Sequence, residues 1–127
     1  DPKTFRQGLN HPVARHGYKR DFDAMNWANA FLLILPSGLS AHFEAGWAAG
    51  RGKPTAIYAP TIKEPELMYL LMEDSLPRKG PPKGGAASAS LSRPFAEWFC
   101  TTTDEVTSFF NNLDMFWNIG GRMEIAG

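Results

Sequence analysis

The chain has a single cysteine, no excess of charge of either sign, no long apolar run and no internal repeat. Each absence removes a class of protein. With Cys100 alone no internal disulfide can form, and neither it nor His11, His16 and His42 shows metal-ligand spacing. The expectation is a reducing cytoplasm and no metal or other cofactor. Thirteen basic residues balance thirteen acidic ones, which leaves no net field to draw the protein to nucleic acid or to an anionic membrane. A small-molecule ligand suits this balance better. No apolar stretch approaches the length that spans a bilayer, and the opening DPKTFRQGLNHP lacks an apolar signal-peptide core. A soluble, cytoplasmic chain is expected.

At 127 residues with 43% hydrophobic content, the chain can close one core but not two, so a single domain over 1–127 with one site is expected. Residues 1–12 read as polar and irregular. From Val13 to about Asn29 the pattern turns helical, with Tyr18, Met25 and Ala28 on one face and Asp21 among them, while Asp23 reads as a solvated charge. An acid on an apolar stripe is unusual; its ordinary reading is a half-exposed carboxylate paired to Lys19 or Arg20.

FLLILP, residues 31–36, is a continuous apolar run bounded by turn residues, as in a strand of a parallel sheet covered on both faces. AHFEAGWAAG reads as a helix with Ser40 as N-cap and Gly50 as terminator, its small residues Ala45, Gly46, Ala48 and Ala49 allowing close approach to a sheet. KPTAIYAP is a second strand, and strand, helix, strand makes one right-handed crossover in an α/β fold. EPELMYLLMED is a short helix, and about 75–93 should be a flexible loop without apolar periodicity. AEWFCT can return as a strand. Thr102 and Glu105 have capping-box spacing before a helix with the stripe Val106, Phe109, Phe110 and Leu113. The tail holds a Gly-Gly turn and one more short strand.

In an open α/β sheet, ligands sit beyond the carboxyl ends of strands, where a loop feeds the next helix. PSGLS has that place: Ser37, Gly38 and Ser40 offer hydroxyls, close backbone approach and helix N–H groups suited to an anion or a sugar, and His42 can touch the same ligand. Glu44 falls in the first helical turn or just beyond it, where the helix dipole favours an ionised carboxylate, a nucleophile more than a general acid. The ordinary reading is a favourable first-turn acid. GWAAGRGKP is no phosphate loop, because it precedes a strand and carries Pro54 where a magnesium-holding hydroxyl belongs; nor is there a serine elbow.

The stretch RDFDAMNWANAFLLILPSGLSAHFEAGWAAGRGKPTAIYAP with EPELMY resembles the nucleoside 2-deoxyribosyltransferase family and its relatives that hydrolyse nucleoside or nucleotide N-glycosidic bonds. The likeness covers roughly 17–74 and rests on Asp21, the strand, the small-residue loop, and Glu44 with Gly46. It implies a doubly wound, Rossmann or flavodoxin-like, mostly parallel sheet. It also implies Glu44 as the nucleophile at the anomeric carbon of a 2-deoxyribosyl group and Asp21 as the group that protonates or holds the departing base. Neighbouring chains complete each site in this family, which points to a homodimer or higher homo-oligomer and to the segment around Met68. The aromatic content of Phe109, Phe110, Phe116 and Trp117 suggests an interface as well. The family's usual first strand has no counterpart at the start of this sequence; RMEIAG resembles one in composition, so a replacement from the other end of the chain or from a partner is an alternative. PSGLSAHFE also has the spacing of the Pro-Gly-Gly-x-Gly-Thr-x-x-Glu signature of cytokinin-activating phosphoribohydrolases, with Ser37, Ser40 and Ala41 in place of two glycines and the threonine. A third alternative is a nucleotide-binding module without turnover.

Overall fold

The computed structural model describes residues 1–61, 66–76, 98–117 and 123–126. In chain order these form α1 (Pro2–Leu9), α2 (Pro12–Trp27), β1 (Ala30–Ile34), α3 (Leu39–Gly50), β2 (Thr55–Tyr58), a 3-10 turn (Leu67–Leu70), α4 (Leu71–Ser75), β3 (Phe99–Cys100), α5 (Thr103–Trp117) and β4 (Met123–Ala126). The result is a mixed α/β fold on a small parallel sheet. Its strand order is β3-β2-β1-β4. As expected, β1 and β2 are parallel neighbours, with Phe31 opposite Thr55 and Ile34 opposite Tyr58, and α3 connects them. At the other edge β4 lies parallel to β1 with Ala30 opposite Met123 and Leu33 opposite Ala126, so the strand within RMEIAG, from the far end of the chain, fills the place beside β1. β3 closes the far side, pairing Ile57 with Phe99.

The apolar run works as read, since Ala30, Phe31, Leu32 and Leu33 are all buried. Ala41, Ala45, Ala48 and Ala49 form the inward stripe of α3, and their small side chains bring the helix close to the strands. Gly46 lies off that stripe with open space where a Cβ would be, so it does not serve the close approach. Trp98, Ile57, Cys100, Phe109 and Leu113 extend the core under β2 and β3. Burial, with the charge of Glu105 added, pushes the Cys100 thiol up to about 11 and leaves it unreactive.

Several expectations need correction. Residues 2–9 are helical rather than irregular: Asp1 caps the helix by accepting from the Lys3 N–H at 3.2 Å, and Pro2 occupies the first position, where its missing N–H costs nothing. No residue of α1 is buried, and its apolar pair Phe5 and Leu9, four apart, stays exposed. The N-cap of α3 is Gly38, two residues before the expected Ser40, and no side chain caps it. Its other end is closed by Gly52 rather than Gly50. Gly52 takes φ +75°, its N–H donates to the Ala49 carbonyl at 3.0 Å, and the Lys53 N–H donates to the Ala48 carbonyl at 2.9 Å. This is a Schellman closure, and the left-handed residue it requires is the glycine after the cap.

The Thr102 hydroxyl accepts from the Glu105 N–H at 3.2 Å, but the Glu105 carboxylate takes the Thr101 and Thr102 hydroxyls, so half of the capping box forms. Phe109 is buried, which takes it out of the expected interface, and Phe110 is half-buried, meeting it edge-on at 4.9 Å; Phe116 and Trp117 have side chains outside the described residues. Of the expected flexible loop, Ser75 and Leu76 are buried, and 77–93 lie outside the described residues. Among the described residues, no helix is long and apolar enough to cross a membrane.

Candidate active site

Glu44 stands in the second turn of α3, beside the buried alanine stripe, and is half-buried. Two other carboxylates face it electrostatically. Glu124 on β4 is opposite Phe31 and so shares the sheet face that Phe31 presents to Trp47 and Ala48 of α3. Asp21 comes from α2. Burial, then the charge of Glu124, then that of Asp21 hold the Glu44 carboxyl above the usual 4.5. The expected effect of the helix dipole is therefore reversed. No acid occupies the first turn of α3, and one turn further the dipole is too weak to offset two like charges.

Asp21 shares a helix face with Met25 and Ala28, as the spacing predicts, but sits one turn above Met25, where the packing ends. Its side chain is 62% exposed and meets Arg20 at 3.9 Å. This is the ordinary reading of the residue, an exposed carboxylate beside Arg20. Tyr18, placed on the same face, is 66% exposed and stacks on Phe22 at 5.7 Å. Phe22 meets Trp47 of α3 edge-on at 5.6 Å, and this contact locks α2 to α3 beside the carboxylates. Asp23 pairs with Lys19 at 2.7 Å in solvent, the role expected of it.

His42 lies two residues before Glu44, on the other flank of the alanine stripe. Its Nδ1 is 2.9 Å from the Gly38 carbonyl and 3.2 Å from Ser37 Oγ, and its Nε2 is 2.9 Å from the Tyr69 hydroxyl. Both ring nitrogens are thus engaged inside the protein, with the loop on one side and Tyr69 on the other. Ser37, Gly38 and His42 are brought together; Glu44, Asp21 and Glu124 form a second group on the opposite flank of α3. Ser40 is exposed, and Met68 is 56% exposed in the 3-10 turn, next to Tyr69. Glu124 and Tyr69 were missed in the sequence. No local pattern marks either one, because each reaches the site only through long-range packing.

Among the described residues, no group of three or more His, Cys, Asp or Glu could hold a metal ion, the three carboxylates included. A groove of about 380 Å³ lies on α1 against Asp1, Thr4, Phe5, Gly8 and Leu9, and none of the Glu44 group lines it. Comparison of the chain with protein-family models, with curated proteins and with solved structures found no match in any of the three.

The carboxylate group makes a pH prediction. A reaction that needs ionised Glu44 fails as pH falls through its raised pKa, above 4.5. Glu124→Gln removes the stronger like charge, so the acid limb of kcat/KM should move to lower pH. A limb that stays in place in the variant shows that Glu44 does not set it.

Proposed function

We propose that the protein cleaves the N-glycosidic bond of 2′-deoxynucleosides or their 5′-monophosphates through a covalent glycosyl intermediate on Glu44, passing the sugar to a second base or to water. The observation that carries this reading is a half-buried Glu44 that feels the charge of carboxylates from two other elements, Glu124 of β4 and, more weakly, Asp21 of α2. A retaining displacement needs two carboxyls whose protonation differs. Burial and the like charges of Glu124 and Asp21 hold the Glu44 carboxyl above the usual carboxylate range.

In the first step a Glu44 oxygen bonds to C1′ as the C1′–N bond breaks. The electron pair leaves with the base, and a proton from Asp21 neutralises it. An incoming base or water then attacks C1′, releases Glu44 and returns the proton. In this reading the loop of Ser37, Gly38 and Ser40, with the first N–H groups of α3, takes the end of the ligand remote from C1′, its 5′-hydroxyl or phosphate, across the start of α3 from the carboxylates. The proposal includes the doubly wound form of the sheet, for which the order β3-β2-β1-β4 speaks, because the chain reverses direction across the sheet at β1. No cofactor is invoked.

A second copy completing the site belongs to the same reading. Leu39 and Phe43 of α3, with Leu67 and Met68 of the 3-10 turn, are all more than half exposed. Such an apolar surface suits a partner subunit. Light scattering at micromolar concentration should give a dimer or larger, and a monomer rejects this part. The function itself is tested by chromatography of a panel of deoxynucleosides and deoxynucleotides with and without acceptor base. Free base should appear from at least one substrate; ligand binding without any base release transfers the case to a binding module.

A further inference from the structure

The Tyr69 hydroxyl reaches across from the 3-10 turn to His42, and His42 in turn holds the loop that precedes α3. The Gly38 carbonyl can only accept, so at 2.9 Å the Nδ1 of His42 must carry the proton. In a neutral ring Nε2 is then the acceptor, and the Tyr69 hydroxyl donates to it at 2.9 Å. Burial and the charge of Glu66 hold the Tyr69 phenol above its usual 10, which keeps that donor protonated. With Nδ1–H pointing between Gly38 and Ser37, the Ser37 oxygen accepts at 3.2 Å and its own proton is turned to other acceptors.

We infer that Tyr69 is a positioning residue: through His42 it fixes the ring tautomer that makes Ser37 a hydrogen-bond donor to the sugar or phosphate oxygen of the ligand. Without the Tyr69 hydroxyl, the Gly38 carbonyl is the one remaining group among the described residues that favours the proton on Nδ1, against the Ser37 hydroxyl and solvent that favour it on Nε2. Nδ1 then accepts from Ser37, the Ser37 donor is consumed inside the protein, and the Gly38 carbonyl keeps only the His42 backbone N–H at 3.4 Å. This inference assigns the ligand-facing donor of the proposed site, and so rests on that reading for its catalytic consequence; the tautomer itself does not.

The experiment has two readouts. Long-range nitrogen-15 correlation spectra of the histidine rings should show His42 protonated at Nδ1 in the unmodified protein and shifted toward Nε2 protonation in Tyr69→Phe. An Nε2–H ring in the unmodified protein, or an unchanged Nδ1–H ring in Tyr69→Phe, overturns the inference whatever the protein catalyses. With a deoxynucleoside monophosphate that releases base, Tyr69→Phe should raise KM by about three- to tenfold, the loss of one hydrogen bond, and change kcat little. His42→Asn keeps a donor near Gly38 but ends the link to Tyr69, so adding Tyr69→Phe to it should have no further effect. Additive effects of the two substitutions on KM, or a fall in kcat with KM unchanged, contradict the assignment.

Discussion

Glu44→Gln should lose base release by about a thousandfold or more while the protein stays folded and keeps ligand affinity, because the covalent path disappears and the side-chain volume does not change. Its stability gives an independent check. The folded-state pKa of Glu44 is raised above 4.5 by burial, Glu124 and Asp21, so the folded protein binds this proton more tightly than the unfolded chain does. Ionisation of Glu44 therefore costs stability as pH rises through the raised value, and the cost is absent below the unfolded pKa. At neutral pH the glutamine variant should melt no lower than the parent. Loss of activity with a lower melting temperature would mean damage to the fold; loss with an equal or higher one isolates the chemistry. Asp21→Asn, measured beside it, should slow poor leaving groups more than good ones, since its role is to neutralise the departing base.

The second large effect is on stability. Lys53 Nζ donates to the carbonyls of Met25, Asn26 and Ala28 at 2.8, 2.9 and 2.7 Å. These close the C-terminal end of α2, whose last turn has no basic residue of its own. The same ammonium lies over the Phe31 and Trp47 rings, so one side chain joins α2, β1 and α3. Lys53→Met keeps the aliphatic length and removes the donor. It should cost about 2–4 kcal/mol, roughly 10 °C in melting temperature for a chain of this size. Lys19→Met removes a shorter-looking ion pair at 2.7 Å, yet both partners are in solvent, and the loss should stay under about 0.5 kcal/mol. Calorimetry of the two variants side by side checks the contrast; equal losses would refute the capping role of Lys53.

Where structure followed from short-range pattern, the sequence was legible. The run FLLILP, the alanine stripe of α3 and the alternation of strand and helix define β1, α3 and β2, and the register between Phe31 and Thr55 follows from their packing. Helix ends were read less well, because a cap depends on one backbone conformation rather than on a period: Gly38 and Gly52 close α3 instead of Ser40 and Gly50. The site was half legible. Asp21 has the face its spacing gives, but how far burial extends along α2 is decided by where Phe22 and Met25 find Trp47 and Ala48. Glu124 and Tyr69 arrive through strand pairing and helix packing from other parts of the chain, and Lys53 from beyond α3. No local window contains those partners.

The central claim, a glycosyl bond to Glu44, is tested most directly by mass spectrometry of the protein trapped with a 2-fluoro-substituted deoxynucleoside, in which fluorine slows release of the sugar from the enzyme. The account predicts one added 2-fluoro-deoxyribosyl group, carried by the peptide that contains Glu44 and absent from Glu44→Gln. A sugar found on any other residue, or base release from the analogue without a covalent adduct, would contradict it.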